Sequence, residues 1–147
     1  AVRERFGTLV NNALITQPCQ PLLGAQDAMT YLQGRQDSAV GVATGGWSHT
    51  ARAKLGAAGF ETEHWTLASS DDHPERTAIM QSCAARLPNP NAQTVYFGDG
   101  IWDLNACAEL KWAFVGIGTR LKGIAPVWIE DYASCELDQI LAAALKK

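Results

Sequence analysis

What the chain lacks narrows it first. No apolar run in its 147 residues approaches the roughly 20 needed to cross a bilayer. No N-terminal stretch has the pattern of a secretory signal. The 12 Lys and Arg residues form no basic run and the net charge is −3, so no nucleic-acid or membrane partner is expected. Cys19, Cys83, Cys107 and Cys135 lie far apart and include no CxxC pair. That spacing argues against a zinc site and suggests no disulfide framework. His49, His64 and His73 are scattered without metal-ligand spacing. There is no internal repeat and no low-complexity tract. The expectation is a reduced, cytoplasmic, globular protein, 47% apolar and 18% charged, long enough for one domain with a real core. The first residue is Ala rather than Met, so a processed chain or a piece of a longer one is expected.

What is present centres on Thr94-Val-Tyr-Phe-Gly-Asp99-Gly-Ile-Trp-Asp103-Leu-Asn105. Residues 94–97 are β-branched or aromatic, as a short buried strand requires. Gly98 and Gly100 flank Asp99 and permit a sharp turn. Asp103 and Asn105 sit at the start of a helical run over 104–110. Two carboxylates four residues apart thus lie at the carboxyl end of a strand, the edge where open α/β sheets bind ligands. Such oxygens suit a hard cation that keeps several waters. Each acid alone has an ordinary reading, Asp99 in an Asx-turn and Asp103 as a helix N-terminal charge. As a pair after a strand, they point to a metal or phosphate site.

The rest of the chain alternates helices and strands. The apolar spacing predicts a helix over 2–15, a Pro18/Pro21 linker, and a helix over 24–33 with Gly34 as C-cap. Residues 39–43 read as a buried parallel strand. It ends in Thr44-Gly45-Gly46, followed by a helix over 48–58 stopped by Gly59, with Ser48 as a candidate N-cap. Thr44 is placed to donate its O–H to a phosphate oxygen at a helix N-terminus, with the glycines admitting the ligand; a plain loop is the alternative. A short strand over 63–68 leads to a polar turn over 69–74 and a helix to Leu87, with Pro74 at N1 and Asp72 or His73 near the cap. Arg76 lies in that helix's first turn, where a cation opposes the dipole; a phosphate clamp explains it, and so does a solvated arginine. Strands over 112–117 and 125–129 follow, the latter at an edge because of Pro126. Ser134 is the expected N-cap of a final helix. Trp47 and Trp102 follow the glycine turns and are candidates for a pocket wall, whereas Trp65, Trp112 and Trp128 read as core. The alternation predicts a mostly parallel sheet covered on both faces.

Val40-Gly-Val-Ala-Thr44-Gly-Gly, then Arg76, then Val95-Tyr-Phe-Gly-Asp99-Gly-Ile-Trp-Asp103 resemble, in that order, the second, third and fourth motifs of the haloacid dehalogenase superfamily. The small helical segment before Ala39 looks most like that of phosphoglycolate-phosphatase-like members. The resemblance implies a three-layer, doubly wound, Rossmann-like α/β core over 37–147 and a partial helical cap over 1–36. It implies Mg2+-dependent hydrolysis of a small phosphorylated metabolite through an aspartyl-phosphate. Thr44, Gly45, Gly46 and Arg76 would hold phosphate, Thr44 and Arg76 acting in catalysis; Asp99 and Asp103 would hold the metal.

The family's first motif, DxDx(T/V) on the first central strand, does not occur in the sequence; Phe6-Gly-Thr-Leu-Val10 resembles its end without the aspartates. Hence no nucleophile is assigned. The chain alone is expected to be inactive, with a homodimer or a complementing chain supplying the missing strand. A catalytically dead binding or assembly module is the alternative. A receiver-like domain fits less well, because no phospho-acceptor aspartate follows an early strand.

Overall fold

The apolar runs after each polar turn are too short for membrane or bundle helices and fold as brief parallel strands, all but the last reached through an α-helix. The computed structural model describes residues 1–146. In chain order it contains α1 (Val2–Thr16), α2 (Ala25–Gly34), β1 (Gly41–Ala43), α3 (Ser48–Ala57), β2 (Thr66–Ala68) and α4 (Arg76–Ala85). There follow β3 (Val95–Gly98), α5 (Ile101–Leu110), β4 (Ala113–Ile117), a 3-10 turn (Thr119–Leu121), β5 (Trp128–Ile129) and α6 (Leu137–Leu145). The fold is α/β and Rossmann-like in its parallel pairing. Among the described residues the strands form two sheets, β1-β2 and β3-β4-β5, so the strands that lead to Thr44 and to Asp99 are not paired with each other. No helix there is long and apolar enough to cross a membrane.

By packing, the chain forms two compact units. One comprises Ala1–Pro21 and Leu32–Pro90, the other Leu22–Tyr31 and Asn91–Lys147. In the first, β1 and β2 pair with Val42 opposite Leu67. Helix α4 covers them, joining Ile79 and Cys83 to Ala68 and Ala43. Gly41 is required here, since a Cβ would stand 2.5 Å from Cys83 Sγ. Helix α1 packs on α3, with Gly7 buried against His49. Most of the expected apolar stripe of α1 stays in solvent, with Val2 77% and Leu9 59% exposed.

In the second unit, Val95, Phe97, Val115 and Ile117 alternate onto one sheet face, where Ile140 and Ala144 of α6 meet them. On β4, Phe114 and Gly116 therefore face the other way; a Gly116 Cβ would meet Leu121 and Ala125, which cover that side. Helix α5 also packs on β3 and β4. Gly24, at φ 78°, turns against Tyr132 and Ala133 and starts α2 one residue later than expected.

Several boundaries move for local reasons. Helix α5 begins at Ile101 rather than 104, because Gly100 is its N-cap and Asp103 falls in its first turn. Helix α4 begins at Arg76 after Glu75, so Pro74 lies outside it, and it ends at Ala85. The N-cap of α6 is Glu136; Ser134 is engaged in a turn whose amides bond Asp131 Oδ1. Gly34 is the last residue of α2 and not a left-handed cap. Trp65, Trp112 and Trp128 are half-buried rather than core.

Candidate functional site

In the first unit, β1 runs directly into the Thr44–Trp47 loop. Thr44 N–H donates to Ala68 O at 3.0 Å, continuing the strand pairing by one residue. Gly46 N–H donates to Thr44 Oγ1 at 3.2 Å, and Gly46 O accepts Ser70 N–H at 3.1 Å. Arg76 comes to the same loop: its Nη2 lies 2.8 Å from where a Gly45 Cβ would stand. The structure thus brings together Thr44, Gly45, Gly46 and Arg76. A side chain at 45 would collide with the guanidinium.

Helix α3 is capped in an unexpected way. Ser48, the expected N-cap, is the first helical residue, and the N-cap is Trp47, whose side chain makes no capping hydrogen bond among the described residues. Ser48 N–H instead donates to Asp71 Oδ2 at 3.0 Å. Asp71 belongs to the turn after β2, where Asp72 accepts Ser69 N–H at 2.8 Å and Ser69 is buried. Arg86 bonds both Asp72 and Leu67 O. The Arg86 hydrogen bond, aided by Ser69 N–H, holds the Asp72 carboxyl below its usual range. Trp47 stands edge-on to Phe6, with ring centroids 5.3 Å apart, and is stacked with His49.

In the second unit, β3 delivers Asp99 exposed at its carboxyl end, while Asp103 is buried at 4% exposure. Asp103 Oδ2 accepts Gly100 N–H at 3.3 Å. A Gly98 Cβ would stand 2.6 Å from that oxygen, so Gly98 is needed for the acid to fold inward. Gly100 likewise makes room for the Trp102 indole, which is itself 49% exposed. The two acids therefore differ: Asp99 faces out, and Asp103 fastens the turn as a helix-terminal carboxylate. Asn105 lies exposed farther along α5. Among the described residues no group of three or more His, Cys, Asp or Glu side chains is placed to hold a metal. The donor set fits Mg2+ through one outward carboxylate, since that ion keeps several waters and takes one or two protein carboxylates.

Sequence reasoning missed Asp71 and its ion-pair partner Arg3. The available signal was Ser69-Ser-Asp-Asp72 directly after a strand, which reads only as a polar turn.

Short parallel strands alternating with helices, with a Thr-Gly-Gly loop and an Asp-bearing glycine turn at strand ends, define an α/β protein of the Rossmann-like class. A family model for haloacid dehalogenase-like hydrolases matches residues 2–111, which include Thr44, Arg76, Asp99 and Asp103. The chain belongs to the haloacid dehalogenase-like hydrolases. No curated protein sequence matches it in the comparison made.

Proposed function

We propose that this chain is the phosphate- and metal-handling part of a phosphoglycolate-phosphatase-like enzyme of the cytoplasm. The enzyme would hydrolyse a small phosphomonoester, with residues 1–36 contributing to its cap and 37–147 to its core. The observation that carries this reading is Arg76 Nη2 at 2.8 Å from where a Gly45 Cβ would stand, in the loop that Thr44 opens. Because Thr44 Oγ1 already accepts Gly46 N–H, its own proton is available to a phosphoryl oxygen. Arg76 supplies the positive charge that phosphoryl transfer needs. Asp99 would hold Mg2+, and Asp103 would keep the Asp99 turn in place. Such an ion would supply the positive charge that a phosphoryl group calls for.

The nucleophilic and acid–base aspartates would come from outside these 147 residues, either upstream in a longer chain or on a second chain. The test is titration of the purified chain with inorganic phosphate and with Mg2+, beside a p-nitrophenyl phosphate assay. Thr44→Ala and Arg76→Met should each weaken phosphate binding by roughly tenfold, the loss of one charge-assisted hydrogen bond. Asp99→Asn should remove Mg2+ binding. No turnover is expected. Metal-dependent hydrolysis above the blank would refute the missing nucleophile, and unchanged affinities would refute the site.

A second reading, a dead module that pairs with another copy or chain, is favoured by the absence of DxDx(T/V) from this sequence. It requires a dimer or hetero-complex by light scattering; a monomer that stays alone at all concentrations argues against it.

A further inference from the structure

We infer that Asp71 is the positioning residue of the phosphate loop, tying that loop to helix α1 through a charge that Arg3 balances. The inference rests on the reading of residues 44–46 and 76 as a phosphate site. The first helical amides of α3 have no intrahelical acceptor, and Trp47 provides none from its side chain. The acceptor comes from a distant turn: Asp71 Oδ2 takes Ser48 N–H at 3.0 Å and is approached by Ser69 Oγ at 3.4 Å. With Ser70 N–H on Gly46 O, this fixes the loop at its middle and at its exit.

The same residues receive α1. Arg3 Nη2 meets Asp71 at 3.0 Å, Phe6 packs on Trp47, and Gly7 sits against His49. All three contacts come from the first two turns of α1, so the helix rests on the loop and its brace. A carboxylate beside a phosphate loop repels the ligand. It is tolerable there because Arg3 neutralises it, and because the hydrogen bond to Ser48 holds the loop's shape.

This arrangement has a signature that a purely structural role lacks. The test is isothermal titration of inorganic phosphate into the full chain at low and at high salt, with thermal unfolding alongside. Asp71→Ala should weaken phosphate binding by about fivefold, the equivalent of one net hydrogen bond. Asp71→Asn keeps an acceptor for Ser48 N–H and should bind within about twofold of the parent chain. Arg3→Met leaves the carboxylate uncompensated and should weaken binding about threefold at low salt, less at high salt. Adding Asp71→Asn to Arg3→Met should restore it.

If Asp71→Ala binds as well as the parent while Thr44→Ala does not, the positioning role is wrong and the phosphate site stands. Failure of the double variant to recover affinity also overturns the inference. If the parent chain binds no phosphate, the loop assignment itself fails and this inference with it. Should Asp71→Ala not fold, the Arg3→Met and double-variant pair still decides the matter.

Discussion

Replacing Asp103 by Ala separates a metal ligand from a turn fastener. The carboxylate is 4% exposed and accepts the buried Gly100 N–H, at the positive end of α5. Removing it orphans that amide, a cost of about 1–3 kcal/mol. It also forfeits the helix-terminal charge, worth about 0.3–1 kcal/mol. The bond is long at 3.3 Å, which favours the lower part of the range and a total near ~2 kcal/mol. For a chain of this size the melting temperature should fall by about 4–8 °C. Circular dichroism at 222 nm, with and without Mg2+, reads this directly. Asp103→Asn, which keeps an acceptor, should lose less than half as much. Because Asp103 faces inward, the drop should be the same in metal-free buffer. A loss seen only when Mg2+ is present, or none at all, would refute the inward role and return Asp103 to the metal.

Other consequences follow from packing and charge. Gly41→Ala should cost about 1–3 kcal/mol by overpacking, because its Cβ would stand 2.5 Å from Cys83 Sγ; Cys83→Ala should relieve part of that loss in a double-mutant cycle. Asp72 is held below its ordinary value of 3.8 by Arg86, so its contribution is full above that value and fades as pH falls through the depressed one. Arg86→Met should therefore flatten the acid limb of a stability–pH curve, and an unchanged limb would count against the pair. Burial raises Tyr132 from 10.0 to about 12. Its neutral form is favoured by folding, so stability should decline between pH 10 and 12 as the unfolded state ionises; Tyr132→Phe should remove that decline as read by denaturant titration.

The order of elements was legible because each apolar run is bounded by its own turn residues. Gly59, at φ 90°, and the Gly98–Gly100 turn stop and start helices through local backbone chemistry alone. The inward turn of Asp103 was not legible, since its burial depends on Gly98 vacating the space beside it. Nor was the cap of α3: a residue 23 positions away supplies the acceptor, and no local spacing encodes that bond. Arg76 could be singled out only by its conflict with the helix dipole; that it reaches Gly45 depends on how α4 folds back beside β1. Periodicity found helix α1 but not the side of it that packs, because Gly7 and Phe6, rather than the larger aliphatics, make its contacts.

The short segment 22–31 packs with the carboxyl-terminal unit. Leu23 O accepts Tyr132 N–H, and Tyr31 OH donates to Asp138 across a separation of 107 residues. During synthesis at about 5–20 residues per second, α2 waits on the order of 5–20 s for that partner to be made. Closing so long a loop carries an entropic cost that grows only logarithmically with its length. Over that interval Ala28, which the finished fold buries, and the half-buried Met29 lie open to solvent and to any chaperone that reads such surfaces.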